Sequence, residues 1–474
     1  MKRELFSFIF FISLFTFYFL FSNSVSADFL NQTSIFNVNS DYEYLGRTNV
    51  NATLRKISGN AYWYVSDDFW AGVSEPEKNL FLQKLDELIL EFDSRIYPIE
   101  RQFWGTENSP GVDNDSKITV LITKLIDQAG GYFDTTHLYK KTEAPESNER
   151  EMFFINSSSV ISGRAKVFLA HEFQHLIGFY QKDILKNTTE DVWLNEARAE
   201  YTPRLLGYDD VFETSNIRRR IFAFQQNPSD PLAEWKNESS DYGVVTLFMY
   251  YLVDNYGPEI LVNSQKSAKS GIGSINEALR QNGLSQTFSD IFSDWTIANV
   301  LNDSLIAQKY AYKSGHLSNF RVSSTQSYTI SGVGTVFSIS EAVKDWQPRW
   351  YEFSTPVGSG TDLNFKVDFS ADAGTNFRVP FIAFKINGQK EIGFSPLNGT
   401  IFFKNFGSEI YKVVLIPAKH SKTSNFTEND PAASFNLKAQ ITSEFQEISP
   451  VPSIQGLLDQ ISVLQNQINQ LQKS

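Results

Sequence analysis

The densest chemistry in this sequence lies in five consecutive residues, His171, Glu172, Phe173, Gln174 and His175 (HEFQH). On a helix, residues four apart share one face about one turn apart, so both imidazoles can reach a single Zn²⁺. Glu172, between them, points to the open side of such a metal. A zinc ion lowers the pKa of its bound water towards about 7, and a carboxylate beside it can take the proton as hydroxide attacks a carbonyl. The bland alternative is a chance pair of helical histidines. The chain has only 5 histidines, and two imidazoles and a carboxylate on an otherwise apolar helix need partners if they are not to cost stability.

Zinc needs a third protein ligand, and the candidates separate the classes of HExxH protein. In the metzincin pattern (HExxHxxGxxH) Gly178 is in place, but Gln181 occupies the position of the third histidine, and a neutral amide is a poor zinc ligand. His137 precedes the motif, and His316 and His420 fall at or beyond the edge of a β-rich region. A carboxylate must therefore serve. Downstream comes Trp193-Leu194-Asn195-Glu196-Ala197-Arg198-Ala199-Glu200-Tyr201 (WLNEARAEY). With HEFQH, this segment resembles the gluzincins, whose third ligand is the Glu of a similar Asn-Glu motif on a following helix. Carried onto this chain, the resemblance implies Glu196 as third ligand and Glu200, one turn later, as the carboxylate that orients the first histidine. An exposed helix charge is the alternative for Glu200.

The resemblance is closest to hyicolysin-like endopeptidases, through HEFQH, WLNE, the turn Gly130-Gly131-Tyr132-Phe133 and the segment from Phe92-Asp93 to Tyr97-Pro98. It covers about Ala61 to Asp303, and Ala197 stands where the family often has glycine. It implies an α+β fold: a thermolysin-like, two-lobed zincin domain with a β-rich upper lobe and a helical lower lobe. No Gly-x-Met-Glu-Asn motif of the clan's aminopeptidases is present, which favours an endopeptidase. An extended substrate would pair with an edge strand at Glu151 to Asn156, through Met152, Phe153 and Phe154. Other gluzincins stabilise the oxyanion with a tyrosine, and Tyr242, opening a helix after Glu196, is the candidate. Packing in the core is its alternative role.

The elements that must position these groups are legible around them. Ala61 to Val65 reads as a strand. Ser74-Glu75-Pro76-Glu77 is a capping box opening a helix through Phe92. Ile118 to Leu125 and Glu151 to Asn156 read as further strands. The chain from Arg164 to about Tyr180 is apolar nearly all round, as a buried helix must be. Helices follow at Val192 to Thr202, with Pro203 discouraging continuation, at Gly243 to Asn255 and at Phe288 to Asn299. Asp113 and Asp115 lack the remaining ligands of a calcium loop and read as a turn, so bound Ca²⁺ is not expected.

Beyond about Ser323 the period changes to two, with strands at Ser327 to Ile339, Trp350 to Ser354, Leu363 to Phe369, Phe377 to Ile386, Thr400 to Phe403, Tyr411 to Ile416 and Ser434 to Ile441. This is the pattern of an all-β, sandwich-like domain. A proline-rich linker, SPVPS, leads to a terminal stretch with Ile at 454, 461 and 468 and Leu at 457, 464 and 471, a short coiled-coil helix suited to a weak homodimer. The start has a different character: Lys2 and Arg3, a Phe-rich run from Leu5 to Phe21, and the small-residue site Val25-Ser26-Ala27. That is a secretory signal peptide, implying a secreted protein with possible association with the cell surface. The expected order is signal peptide 1–27, lead-in or pro-segment 28–60, zinc peptidase domain 61–322, β domain 323–445, and linker with helix 446–474.

Composition sets the outer limits. At 474 residues with 41% apolar content, the chain can fill more than one core. A formal net charge of −12 opposes binding to nucleic acid. The absence of cysteine excludes disulfides, thiolate metal sites and cysteine nucleophiles. No G-x-S-x-G elbow marks a serine hydrolase. The sequence thus predicts a secreted zinc endopeptidase acting on proteins or peptides. A surface-binding protein with a vestigial zinc site is the alternative, weakened because neither the base nor a ligand is missing.

Overall fold

A computed structural model describes residues 27–356 and 363–442. The chain is mixed α/β and divides into two compact units, one running to Phe81 and including Asn108–Ser158, the other made of Leu82–Glu107 and the chain from Ser159 onward. The expectations for the signal peptide, apart from Ala27, and for the linker and heptad helix lie outside the described residues.

The first unit is built on a six-stranded sheet. Its strands are β1 (Thr33–Asn37), β2 (Asn49–Ile57), β3 (Ala61–Ser66), β4 (Ile118–Thr123), β5 (Gly131–Tyr132) and β6 (Met152–Asn156), in the spatial order β1-β2-β3-β4-β6-β5. The pairs β3–β4 and β4–β6 are parallel and the others antiparallel. Every residue of β3, β4 and β6 is buried, in keeping with their continuous apolar runs. A short helix, α1 (Asp67–Gly72), follows β3.

Two expectations are corrected in this unit. Residues 28–57 form the first two strands rather than a lead-in: Val50, Ala52 and Leu54 alternate inward along β2 into a core with Phe36 and Tyr64. Asp28 is tied to the same unit, accepting hydrogen bonds from Tyr64 (2.8 Å) and Gln32 (3.0 Å) and pairing with Arg150. Second, β6 is not an edge strand. It lies between β4 and β5, and the two-residue β5 takes the outer position. The Asp113–Asp115 segment is a turn: Asp113 Oδ1 accepts the amide of Asp115 (2.9 Å), and Asp115 accepts Lys117 N (2.9 Å) and the Tyr62 hydroxyl (2.8 Å).

Helices dominate the first half of the second unit. α2 (Glu75–Glu91) begins at a cap in which Glu77 accepts both the amide and the hydroxyl of Ser74 (2.7 Å each), then runs through a π turn at Phe92–Ile96 into α3 (Tyr97–Trp104). After α4 (Ser157–Ile161) come α5 (Ala165–Phe179), α6 (Val192–Leu205), α7 (Asn216–Gln226) and α8 (Ser239–Tyr256). The shorter α9 (Glu259–Gln265) and α10 (Gly271–Gln281) precede α11 (Phe288–Leu301). α6 continues two residues past Pro203. Proline cannot donate to the carbonyl of Ala199, and the Thr202 hydroxyl bonds that oxygen instead (2.7 Å). No helix among the described residues is long and apolar enough to cross a membrane.

The β-rich region carries a nine-stranded sheet with sandwich-like packing. Leu363–Ala371 pairs with Gly399–Phe406 on one side and Ala433–Thr442 on the other, and Phe365, Val367, Phe369, Phe435 and Leu437 project into its core. The expected strand Ser327 to Ile339 is broken into Gln326–Thr329 and Val336–Val343, with Gly334 at a φ of 88° in the turn between. The change of period near 323 falls inside the second unit. Ile297 and Leu301 of α11 share a core with Trp350, Ile382, Val414 and Ile416 of the sheet.

Candidate metal centre

α5 and α6 bring the sequence-predicted ligands together. α5 is held through its apolar face, where Phe173 stacks on Tyr97 (5.4 Å between ring centres) and meets Phe92 edge-on (5.4 Å). The start of α6 is fixed by Glu190, whose carboxylate accepts the amides of Asp191 (3.1 Å) and Gly271 (2.6 Å) and pairs with Arg198 (2.9 Å) and Lys182 (3.1 Å). All four partners of that buried cluster are within the second unit, and Trp193 and Leu194 bury the first turn of α6.

The result is a convergence of three donors. His171 Nε2 lies 3.1 Å from His175 Nε2 and 3.2 Å from Glu196 Oε2, and His175 Nε2 lies 3.6 Å from Glu196 Oε1. Among the described residues, His171, His175 and Glu196 form the one group of three or more His, Cys, Asp or Glu residues whose donor atoms could hold a metal ion, all within 4.8 Å of one another. Two imidazoles and one carboxylate are donor types that suit zinc, so the residues present fit such an ion.

Glu200 supports the cluster from behind. It is buried, and its Oε1 lies 3.5 Å from His171 Nδ1, the ring nitrogen turned away from the cluster. Arg220 grips it with two nitrogens (2.6 and 2.7 Å), while Asn216 (2.8 Å) and Thr246 (3.1 Å) also donate. Burial alone would raise this carboxyl, but the Arg220 charge and the His171 hydrogen bond hold it well below the usual range. Glu196 likewise resists burial, drawn down to about 2 by His175 and His171. Burial pushes Glu172 up to about 7 against the pull of the two histidines, with Glu196 and Glu200 adding to the rise. These carboxylates share one small volume, yet their environments drive them apart.

Tyr242 lies in the first turn of α8, its ring under the Arg220 guanidinium (4.5 Å) and edge-on to Trp235 (4.8 Å). Its hydroxyl donates to Asn237 Oδ1 (2.9 Å). Burial raises this phenol, and Glu196, Glu200 and Glu172 raise it further, so it keeps its proton. Met152, Phe153 and Phe154 belong to the first unit and their side chains are fully buried. β6 pairs with β4 along its length and with β5 at Phe154 and Ile155, so it is an inner strand and not the expected edge.

Arg220 is the residue that motif reading missed. It lies 20 positions beyond Glu200 on a different helix, and no spacing rule links them. Glu100 was missed as well. It is fully buried on α3 with no hydrogen-bond partner on either oxygen among the described residues, and burial raises its carboxyl well above the usual range against the pull of His171. Its helix face, shared with Ile96, Tyr97, Phe103 and Trp104, was the available signal.

No protein-family model matches the chain, and no curated protein matches it in sequence. Several solved structures align with about a quarter of it. These include the mitogen of Yersinia pseudotuberculosis (3% identity, 24% of this chain and 92% of that one, TM-score 0.18) and PliG, a periplasmic inhibitor of g-type lysozyme from Aeromonas hydrophila (10%, 24% and 96%, TM-score 0.18). The pre-peptidase C-terminal domain of a Bacillus anthracis collagenase aligns similarly (14%, 25% and 95%, TM-score 0.17). Likenesses this slight carry no weight for fold or function.

Proposed function

We propose that this chain is a secreted zinc-dependent endopeptidase with a thermolysin-like catalytic domain, in which His171, His175 and Glu196 hold the metal and Glu172 is the general base. The observation that carries the reading is the convergence of the three donor atoms beside Glu172. Zinc bound there would polarise a water molecule and a substrate carbonyl. Glu172 would accept the proton of the attacking water on its carboxylate and pass it to the departing amine. Glu200, set by Arg220, would fix the ring of His171 through Nδ1 and raise its basicity as a ligand. Tyr242 would leave Asn237 and donate its hydroxyl hydrogen to the developing oxyanion. Protein or peptide is the substrate class that the resemblance to gluzincins implies.

The test is metal removal. Casein digestion by the purified protein should stop on dialysis against a zinc chelator and return on addition of Zn²⁺. Digestion that persists after measured zinc is gone would refute the reading.

A further inference from the structure

Asp191 opens α6 at the position where an aspartate ordinarily caps its own helix, yet its side chain makes no cap bond there. Its Oδ1 instead accepts the amide of Asn425 (2.7 Å). Asp191 is 8% exposed, and Asn425 belongs to the loop that joins the strands Ala418–Lys419 and Ala433–Thr442 of the β-rich region. The helix that carries Glu196 is thus tied at its first residue to a loop of the β-rich region.

The tie is doubled at Gly271, where α10 begins. Ile272 N donates to Thr423 O (2.9 Å), while Gly271 N donates to Glu190 (2.6 Å). A β-carbon at Gly271 would lie 2.1 Å from Asp191 Oδ2 and 2.8 Å from Thr423 O, so Asp191 and the loop close on a residue that leaves no room for a side chain. The loop is itself braced from behind. Asp345 Oδ1 accepts the amides of Ser421 (2.6 Å) and Lys422 (2.9 Å), Trp346 Nε1 donates to Lys422 O (2.8 Å), and the Lys422 ammonium holds both oxygens of Asp430 (2.6 and 2.7 Å). Such a loop has a fixed shape to present to α6.

Glu196 lies five residues beyond Asp191, about 7.5 Å along the helix axis. Glu200, one turn further, is held by Arg220, so Glu196 stands between an anchor on α7 and an anchor on the loop. With the loop anchor gone, α6 is free to tilt about the other, and a ligand oxygen leaves its coordination distance after a shift of a few tenths of an ångström. Glu190, which pairs with Arg198 of α6, adds a tie near the same end. Loss of the loop contact therefore weakens the site rather than abolishing it.

We infer that the loop at 421–425 positions the third metal ligand, with Asp191 as the positioning residue, so that the β-rich region is a working part of the metal centre and not a separable appendage. The inference rests on the zinc reading and goes beyond it in giving the β-rich region a role.

The test measures zinc affinity by chelator competition on full-length protein, at a temperature well below the Tm of every variant. Asp191→Ala removes the acceptor without costing α6 a cap bond. It should weaken zinc binding about tenfold, the low end for a lost supporting contact, because Glu190 still holds the start of α6. Gly271→Ala, which forces Asp191 and Thr423 apart, should do at least as much. Asp191→Asn keeps an acceptor oxygen for Asn425 and should bind zinc nearly as the unmodified protein does. Phe403→Leu, a change in the core of the same β-rich region, is the control, and it should lower Tm while leaving zinc affinity unchanged. Unchanged affinity in both Asp191→Ala and Gly271→Ala, Asp191→Asn as weak as Asp191→Ala, or losses that follow Tm alike in all variants would overturn the inference. The two readings fail differently. Zinc bound normally by Asp191→Ala and Gly271→Ala removes the role of the loop alone, and no zinc bound by the unmodified protein removes the metal reading with it.

Discussion

Arg220 holds both oxygens of Glu200, the carboxylate that stands 3.5 Å from Nδ1 of His171. The guanidinium on α7 thereby fixes a carboxylate on α6, which fixes an imidazole on α5. Replacing Arg220 with Ala leaves Glu200 buried without its cation. Outer-shell losses of this kind weaken metal affinity by about 10- to 100-fold, and an orphaned buried charge is strongly destabilising. Zinc affinity measured by chelator competition should therefore fall in that range, with a lower Tm. Unchanged affinity would show that the Glu200 contact does not tune the ligand.

Tyr242→Phe removes one hydroxyl and keeps the ring under Arg220. A true oxyanion donor should lose about a hundredfold in kcat, with KM and zinc content little changed. Asn237→Ala, which frees the hydroxyl from its resting partner, should leave kcat at or above the unmodified value. A Tyr242→Phe variant with near-normal kcat would return Tyr242 to a packing role.

Acid lability is expected at the junction of α11 and the β sheet. His420 is buried there between Trp346 (4.5 Å) and Phe292 (5.2 Å), its Nδ1 hydrogen-bonded with the Ser289 hydroxyl (2.5 Å). Burial, aided by Arg378, lowers its pKa to about 3 from the ordinary imidazole value of 6.5. The unfolded chain takes up a proton below about pH 6.5 that the fold refuses until about pH 3, so stability drops as pH falls through that window. At pH 4 the loss reaches about 3 kcal/mol. His420→Gln should narrow the difference in Tm between pH 7 and pH 4, and an unaltered difference would place the acid lability elsewhere.

The metal centre was legible where its logic is local. The i, i+4 histidines follow from helix geometry, and the WLNE segment carried Glu196 to its place. Residues 28–57 were harder, because β2 turns Val50, Ala52 and Leu54 inward between Asn49, Asn51 and Thr53, and small side chains give period two only a faint signal. β5 has two residues, too few for any periodicity, so β6 read as an edge. Pro203 suggested a helix end because the Thr202 hydroxyl that replaces its missing donor leaves no trace in a hydropathy pattern. Arg220 was invisible since its partner is set by the packing of α7 against α8, which itself packs on α6. The break at Gly334 could have been read from the Gly-Val-Gly run at 332–334.

The central claim, that Glu172 works as a base beside a metal it does not hold, is tested most directly by Glu172→Gln, assayed for casein hydrolysis and zinc content on the same preparation. The exchange preserves size and leaves His171, His175 and Glu196 in place while removing the proton acceptor. Activity should fall by about a hundredfold or more with zinc fully retained. A variant that still digests casein at close to the unmodified rate with its zinc in place would contradict the account.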